Sequence, residues 1–240
     1  MNLIRKGHRK SHRGVIGVES AIVMIAFVIV AAALAFVVLN MGFSTTQKAK
    51  TTIVSSLGEA SSSLQISGKV KGIGCTSSAK GCATPYLNAT VIPLKIASGG
   101  DSVNLQLSTA SVKYISNSKS FDNIYQGPLA ATSTYANVTA AFTAAQGVIT
   151  NFVSTASAPT NPVTKNLPAA TTGIIYWTVT GNTNAILDDG EHAVLAIAYG
   201  NNDRPAALDK IKVEVVTPSG AALTVERNVP IITNTIVDLG

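Results

Sequence analysis

Asp188, Asp189, Glu191 and His192 fall within five residues of one another in LDDGEHAVLA, the one place after residue 14 where carboxylates meet an imidazole. Carboxylates so spaced can offer oxygen ligands to a hard cation, and a histidine beside them can move protons. Asp-Asp-Gly is also turn chemistry, because short acids accept from nearby backbone amides and glycine takes the conformations a tight turn needs. The turn reading accounts for the order of the residues, a turn followed by an alternating strand, and on it the three acids are solvated. Catalysis would need more. A serine hydrolase would pair His192 with a serine on a sharp elbow, and no G-x-S-x-G occurs; there is no Walker A loop, and GKVKGIG lacks the G-x-G-x-x-G spacing. The sequence therefore argues against an enzyme and calls for no cofactor and no resident metal.

Two further pairs carry chemistry of another kind. Cys75 and Cys82, the only cysteines, flank the polar stretch TSSAKG. In an oxidising compartment they would close this small loop as a disulfide; the alternative is two free thiols, and a metal site is disfavoured because no further cysteine or histidine lies near. Asn88-Ala-Thr90 and Asn137-Val-Thr139 are N-x-[ST] acceptors for N-glycosylation, a weak signal in a chain so rich in threonine.

The elements that would hold these residues start with a charge asymmetry. Arg5, Lys6, Arg9, Lys10 and Arg13 precede any acid, and the rest of the chain carries 13 Lys and Arg against 12 Asp and Glu. The net charge of +6 is thus a property of the leader, and a nucleic-acid partner loses its support. Residues Ala21 to Phe43, 23 in number, are uncharged, long enough to span a bilayer, which takes about 20 as a helix. Basic residues before such a span hold the N-terminus on the cytoplasmic side and send the remainder outside. An ordinary secretory signal would be shorter and would end in a small-residue cut site.

Beyond Gly42 an apolar stripe continues on a polar background at Phe43, Ala49, Ile53, Leu57, Ala60 and Leu64, which predicts one helix over 15–66. Such a rod is about 75 Å long, more than one bilayer needs, and this favours packing on other helices. From Ile66 the period becomes two. GKVKGI, LNATVIPLKIA, ASVKYIS, GIIYWTVTG, EHAVLAIAY, LTVERN and TNTIVDL, with Val103 to Leu107 and Ile211 to Val215, read as seven to nine strands over 67–240. The fold class is α+β: a long N-terminal helix followed by an all-β, immunoglobulin-like antiparallel sandwich, with Trp177 in its core. Residues 126–172, Ala- and Thr-rich with Lys165 the only charge, read as a surface insertion or irregular strands, partly covered, as by a neighbouring subunit.

The stretch Arg13-Gly14-Val15-Ile16-Gly17-Val18-Glu19 resembles the class III signal peptide of type IV pilin-like proteins. With Gly17 third after the cut and AIVMIAFVIVAAALAFVVLNMGFSTTQKAKTTI behind it, the segment resembles archaeal flagellins, the archaellins; the ending VPIITNTIVDLG is similar too. The resemblance implies that a prepilin-type peptidase cuts between Gly14 and Val15 and removes residues 1–14. It further implies that an assembly platform extracts the subunit from the membrane, and that helices of this chain, with or without sibling archaellins, bundle into an extracellular filament turned by a motor. An adhesive archaeal pilin is the alternative. Glu19, fifth after the cut, would pair with the new amine of an assembled neighbour.

Overall fold

The computed structural model describes residues 13–61, 63–76, 85–149, 152, 161–163 and 166–240, without the side chains of residues 13–16 and 59–61. The chain forms two compact units, Met1–Ser55 and Ser56–Gly240. The first is the body of helix α1, Arg13–Ser61. It runs unbroken through Gly17, Gly42 and Gly58. Four threonine hydroxyls in its polar half turn back onto the carbonyls one turn earlier: Thr45 donates to Met41 O at 2.8 Å, Thr46 to Gly42 O at 2.8 Å, Thr51 to Gln47 O at 2.6 Å and Thr52 to Lys48 O at 2.9 Å. These hydroxyls need no water, so the surface carrying them can be buried at little desolvation cost.

The helix ends at Ser61 rather than near residue 66. The sequence turns to three consecutive serines at 61–63, a residue type with lower helix propensity than alanine or leucine, and Leu64 gains more by burial in a sheet. It opens β1, Leu64–Ile66, which pairs antiparallel with residues 94–96.

The second unit is built of β1 with β2 Lys71–Cys75, β3 Tyr86–Ile96, β4 Val103–Asn104, β5 Ser111–Ser116, β6 Ser120–Phe121, β7 Tyr125–Pro128, helix α2 Val138–Val148, β8 Thr172–Val179, β9 Ile186–Leu187, β10 His192–Ala198, β11 Lys210–Val216, β12 Leu223–Asn228 and β13 Ile236–Asp238. The larger sheet has the order β13-β2-β3-β10-β8-β7, with β1 also on β3; a smaller sheet has the order β12-β11-β5-β6, and β4 pairs with β9. The expected sandwich is present: Trp177, Leu195, Ile197 and Tyr199 from the larger sheet share one core with Val112, Tyr114, Val213 and Val215 from the smaller. It departs from an immunoglobulin-like, wholly antiparallel design in two ways. The larger sheet holds seven strands, and β7 joins β8 in parallel.

The larger sheet is buried on both faces. Its outer face carries Ile73, Ala89, Ile174, Tyr176, Val194 and Ala196, covered by Ala141, Phe142 and Ala145 of α2 with Leu129 and Phe152. Residues 126–172 are thus not a free insertion where they are described: they begin in β7, whose register on β8 is irregular, and they carry a capped helix that shields the sheet within the same chain. The C-terminal segment is locked in as well. Val70 N donates to Gly240 O at 3.1 Å and Leu239 N to Val70 O at 2.9 Å. Gly74 makes room for the segment, since a Cβ there would come within 2.5 Å of Ile232 and 2.7 Å of Asn234 O.

Candidate assembly helix and flanking sites

Every described side chain of α1 from Gly17 to Leu57 is exposed, among them nineteen large apolar ones, with Phe27 at 76%. A helix satisfies its own backbone, so such a surface can be taken up whole by lipid or by other helices, and water is the one environment that opposes it. Gly17–Gly58 is long and apolar enough to cross a membrane. Gly42 costs about 1 kcal/mol against alanine in a helix interior, and nothing in its own chain approaches the space where its Cβ would be. A second helix approaching closely is the physical use for a small residue there.

Arg13, Gly14 and Val15 fall in the first turns of α1, and their side chains are outside the described residues, as is the leader through residue 12. Gly17 and Glu19 are both exposed on the helix. Glu19 is the only acid between Gly17 and Leu57, and Lys48 and Lys50 are the only bases.

In the β unit, Cys75 closes β2 and is disulfide-bonded; Cys82 lies outside the described residues. The structure separates the two glycosylation candidates. Asn88, on β3, is 7% exposed. Its Nδ2 donates to Pro162 O at 2.9 Å, fastening the 161–163 segment over the sheet, and Asn161 Nδ2 completes the fastening by donating to Thr143 Oγ1 at 3.1 Å. Asn137 is exposed and caps α2. Its backbone is extended, and its Oδ1 accepts from Ala140 N at 2.9 Å, which satisfies one of the unpaired amides of the first turn.

The acidic cluster is not a wholly solvated turn. Glu191 is 4% exposed. Its Oε1 accepts from Gly181 N at 2.7 Å and Asn182 N at 3.2 Å, and its Oε2 from Asp188 N at 3.0 Å. The carboxylate organises two loops through their amides. Asp188 accepts from Asn182 Nδ2 at 2.5 Å, and Asp189 points into solvent on the turn ended by Gly190, φ +85°. His192 Nδ1 lies 3.0 Å from Ser67 Oγ. Among the described residues no group of three or more His, Cys, Asp or Glu could hold a metal ion. The role of Glu191 was missed because a buried carboxylate and a surface one look alike in sequence; the strand that follows at once, HAVLAIA, was the available signal.

An unshielded apolar helix in the same chain as a β unit with its own core defines a class of protein: a subunit whose helix is completed by lipid or by other chains. Comparison with known proteins gives the family. The archaeal-type flagellin model matches residues 14–227. Probable flagellin 1 of Aeropyrum pernix is 35% identical over 225 residues, 92% of this chain and 94% of that protein. Probable flagellin 2 of Archaeoglobus fulgidus is 36% identical over 106 residues, 43% of this chain and 51% of its own length. The chain belongs to the archaeal-type flagellin family. The fold agrees with solved structures. The archaeal flagellum of Methanospirillum hungatei matches with a TM-score of 0.53 at 22% identity over 91% of this chain and 96% of that one. A crystal structure of an archaeal flagellin from Methanocaldococcus jannaschii matches with a TM-score of 0.53 at 15% identity over 74% and 96%.

Proposed function

We propose that this chain is a structural subunit of the extracellular archaellum filament, polymerising through α1 to build the shaft used for swimming. The observation that carries the reading is the continuous exposure of apolar side chains along α1, in a chain whose β unit has a closed core of its own. A filament buries that surface where a lone subunit in water cannot. The family's relatives are named flagellins rather than adhesins, which favours motility over the adhesive pilin.

The steps around assembly follow from the N-terminal residues. A prepilin-type peptidase cuts between Gly14 and Val15, separating the basic residues that hold the leader inside from the apolar rod. A membrane platform then hands the mature helix from lipid to its neighbours, and a motor turns the finished shaft. The cut creates an amine on Val15 with a reference pKa of about 7.7 to 8.0, mostly charged at neutral pH. Glu19 offers that amine of an adjacent subunit its carboxylate. A carboxylate buried without a partner costs several kcal/mol, so the pair favours the correct register. Outside the cell Cys75 and Cys82 pair and close their loop.

Filaments sheared from the cell surface and analysed by mass spectrometry test the reading. The expected subunit begins at Val15 and lacks two thiol hydrogens. Filaments made of a chain beginning at Met1, or filaments lacking this chain in a strain that expresses it and swims, would overturn the proposal.

A further inference from the structure

Helix α1 carries a shallow hollow of about 610 Å³ on one flank, lined by Leu39, Gly42, Phe43, Thr46, Gln47 and Lys50. These positions recur every three to four residues, so they share one face of the helix. Gly42 makes the floor, since no atom comes within 4 Å of the place its Cβ would take. Leu39 and Phe43 are exposed apolar walls. The Thr46 hydroxyl is spent on Gly42 O at 2.8 Å, so that side chain asks nothing of an apolar neighbour. The hollow straddles Phe43, where the uncharged run ends, and beyond it come an amide and an ammonium. Lys48 and Lys50 form no salt bridge among the described residues.

We propose that this hollow seats one anionic phospholipid of the outer leaflet while the chain is still in the membrane, and that a neighbouring α1 takes the lipid's place on assembly. The proposal rests on the membrane-inserted precursor and the helix contacts of the reading above. A phospholipid is apolar along its tails and anionic at its phosphate. The hollow has the matching order along the helix: apolar at Leu39, Gly42 and Phe43, hydrogen-bonding at Gln47, cationic at Lys50. The depth agrees as well. Ala21 to Phe43 spans the hydrocarbon layer, about 30 Å thick, and the Lys50 backbone lies about 10 Å beyond Phe43. Side chains on a helix lean toward its N-terminus. The Lys50 stem therefore runs back toward the membrane and brings its ammonium to the headgroup layer, about 5 to 7 Å deep. Lys48 sits about 200° round the helix from Lys50 and faces a different lipid. The five cations of the leader outnumber these two lysines, so the orientation of the span is kept. A second copy does not suit Lys50 at this stage. The only acid between Gly17 and Leu57 is Glu19, about 46 Å along the helix from Lys50, and copies held at one depth in a membrane cannot bring the two together. Lipid phosphate supplies the anion that an unstaggered neighbour lacks.

The test uses the full chain in neutral detergent, with native mass spectrometry to count bound lipid. Phosphatidylglycerol and phosphatidylcholine, supplied at equal concentration, are the probes. One phosphatidylglycerol per chain is expected, preferred over phosphatidylcholine by about fivefold, which is what one lysine at an anionic headgroup contributes. Lys50→Gln should abolish the preference and Lys48→Gln should keep it. Gly42→Leu fills the floor while favouring the helix, and should lose both lipids. No preference in the wild type, or equal loss in the two lysine variants, would overturn the headgroup contact. Undiminished binding to Gly42→Leu would overturn the seat. Lipid-free dimers that Gly42→Leu breaks would overturn the lipid as occupant and put a second copy in its place. Filaments sheared from cells should contain no lipid above background, and one lipid retained per subunit would overturn the exchange on assembly. The protein content of those filaments reports the subunit separately, so failure here leaves the subunit reading standing.

Discussion

Phe27 and Trp177 are both large aromatic side chains, and they sit at opposite extremes. Phe27 lies exposed among exposed apolar neighbours on α1, whereas Trp177 is fully buried between two sheets. The β unit finishes its own burial, down to a helix that shields the second face of its larger sheet. The rod leaves all of its burial to something outside the chain. A substitution on the rod should therefore change assembly without changing the stability of the β unit, and a substitution in the sandwich core should do the reverse.

The largest effect should come from the rod. Phe27→Lys places an unpaired charge in a contact that must be apolar, at a cost of several kcal/mol, and filament yield should fall by more than about a hundredfold, each 1.4 kcal/mol being tenfold. Melting of the β unit in detergent-solubilised chain, followed by near-ultraviolet circular dichroism, should not move. A lower melting point would mean that the helix surface takes part in folding the domain. Trp177→Ala is the mirror experiment. It empties the centre of the sandwich and should destabilise the β unit by about 3 to 5 kcal/mol, read by denaturant titration of the same preparation. Unchanged unfolding would remove Trp177 from the core.

The same division decides what could be read from sequence. The rod was legible nearly in full, because 23 uncharged residues behind a basic leader can do little else. Its end was not. Leu64 continues the helical stripe and also fits a strand, and tertiary pairing with Ile96 on β3 decided between them. Strand β11 was legible from its alternation, and β8 and β10 from short continuous apolar runs bounded by turn residues, but two-residue strands such as β6 and β9 carry too few residues to show a period. Helix α2 was hidden by its composition, since alanine and threonine blur the apolar face. Val138, Ala141, Phe142 and Ala145 nevertheless keep the 3-4 spacing behind the Asn137 cap. At the sites, residue type was legible and environment was not. Asn88 and Asn137 are equivalent as triplets, and burial alone sets them apart.

Glu191 sharpens the comparison, because it is a charge the β unit buries by its own means. Glu191→Ala would leave the amides of Gly181, Asn182 and Asp188 without their acceptor. Each hydrogen bond to a charged group contributes about 1.5 to 3 kcal/mol, and their partial replacement by water should leave a net loss of about 3 kcal/mol. Calcium or a chelator should leave the wild-type melting curve where it is. A rise of melting temperature with calcium that disappears in Glu191→Ala would restore the cation reading of Asp188, Asp189 and Glu191.

The smallest effect expected is a gain. Leu208 is the only described non-glycine residue with positive φ, at 70°, and its side chain is 77% exposed. Its backbone is held there by its own N donating to Val229 O at 2.8 Å and by Val229 N donating to Asp209 O at 2.8 Å. Asp209 is fixed in turn by accepting from Ala206 N and from Asn117 Nδ2. A leucine in the left-handed region costs about 1 to 2 kcal/mol, and an exposed side chain recovers little of that by burial. Glycine removes the strain but adds chain entropy to the unfolded state, at about 0.5 to 1 kcal/mol. Leu208→Gly should thus stabilise the β unit by about 0.5 to 1 kcal/mol, measured by denaturant titration. If the same variant also assembles less well, the exposed leucine is a contact between β units, and the division between a self-sufficient domain and a dependent rod is not complete. If assembly is unchanged, the exposed leucine makes no contact that the filament needs.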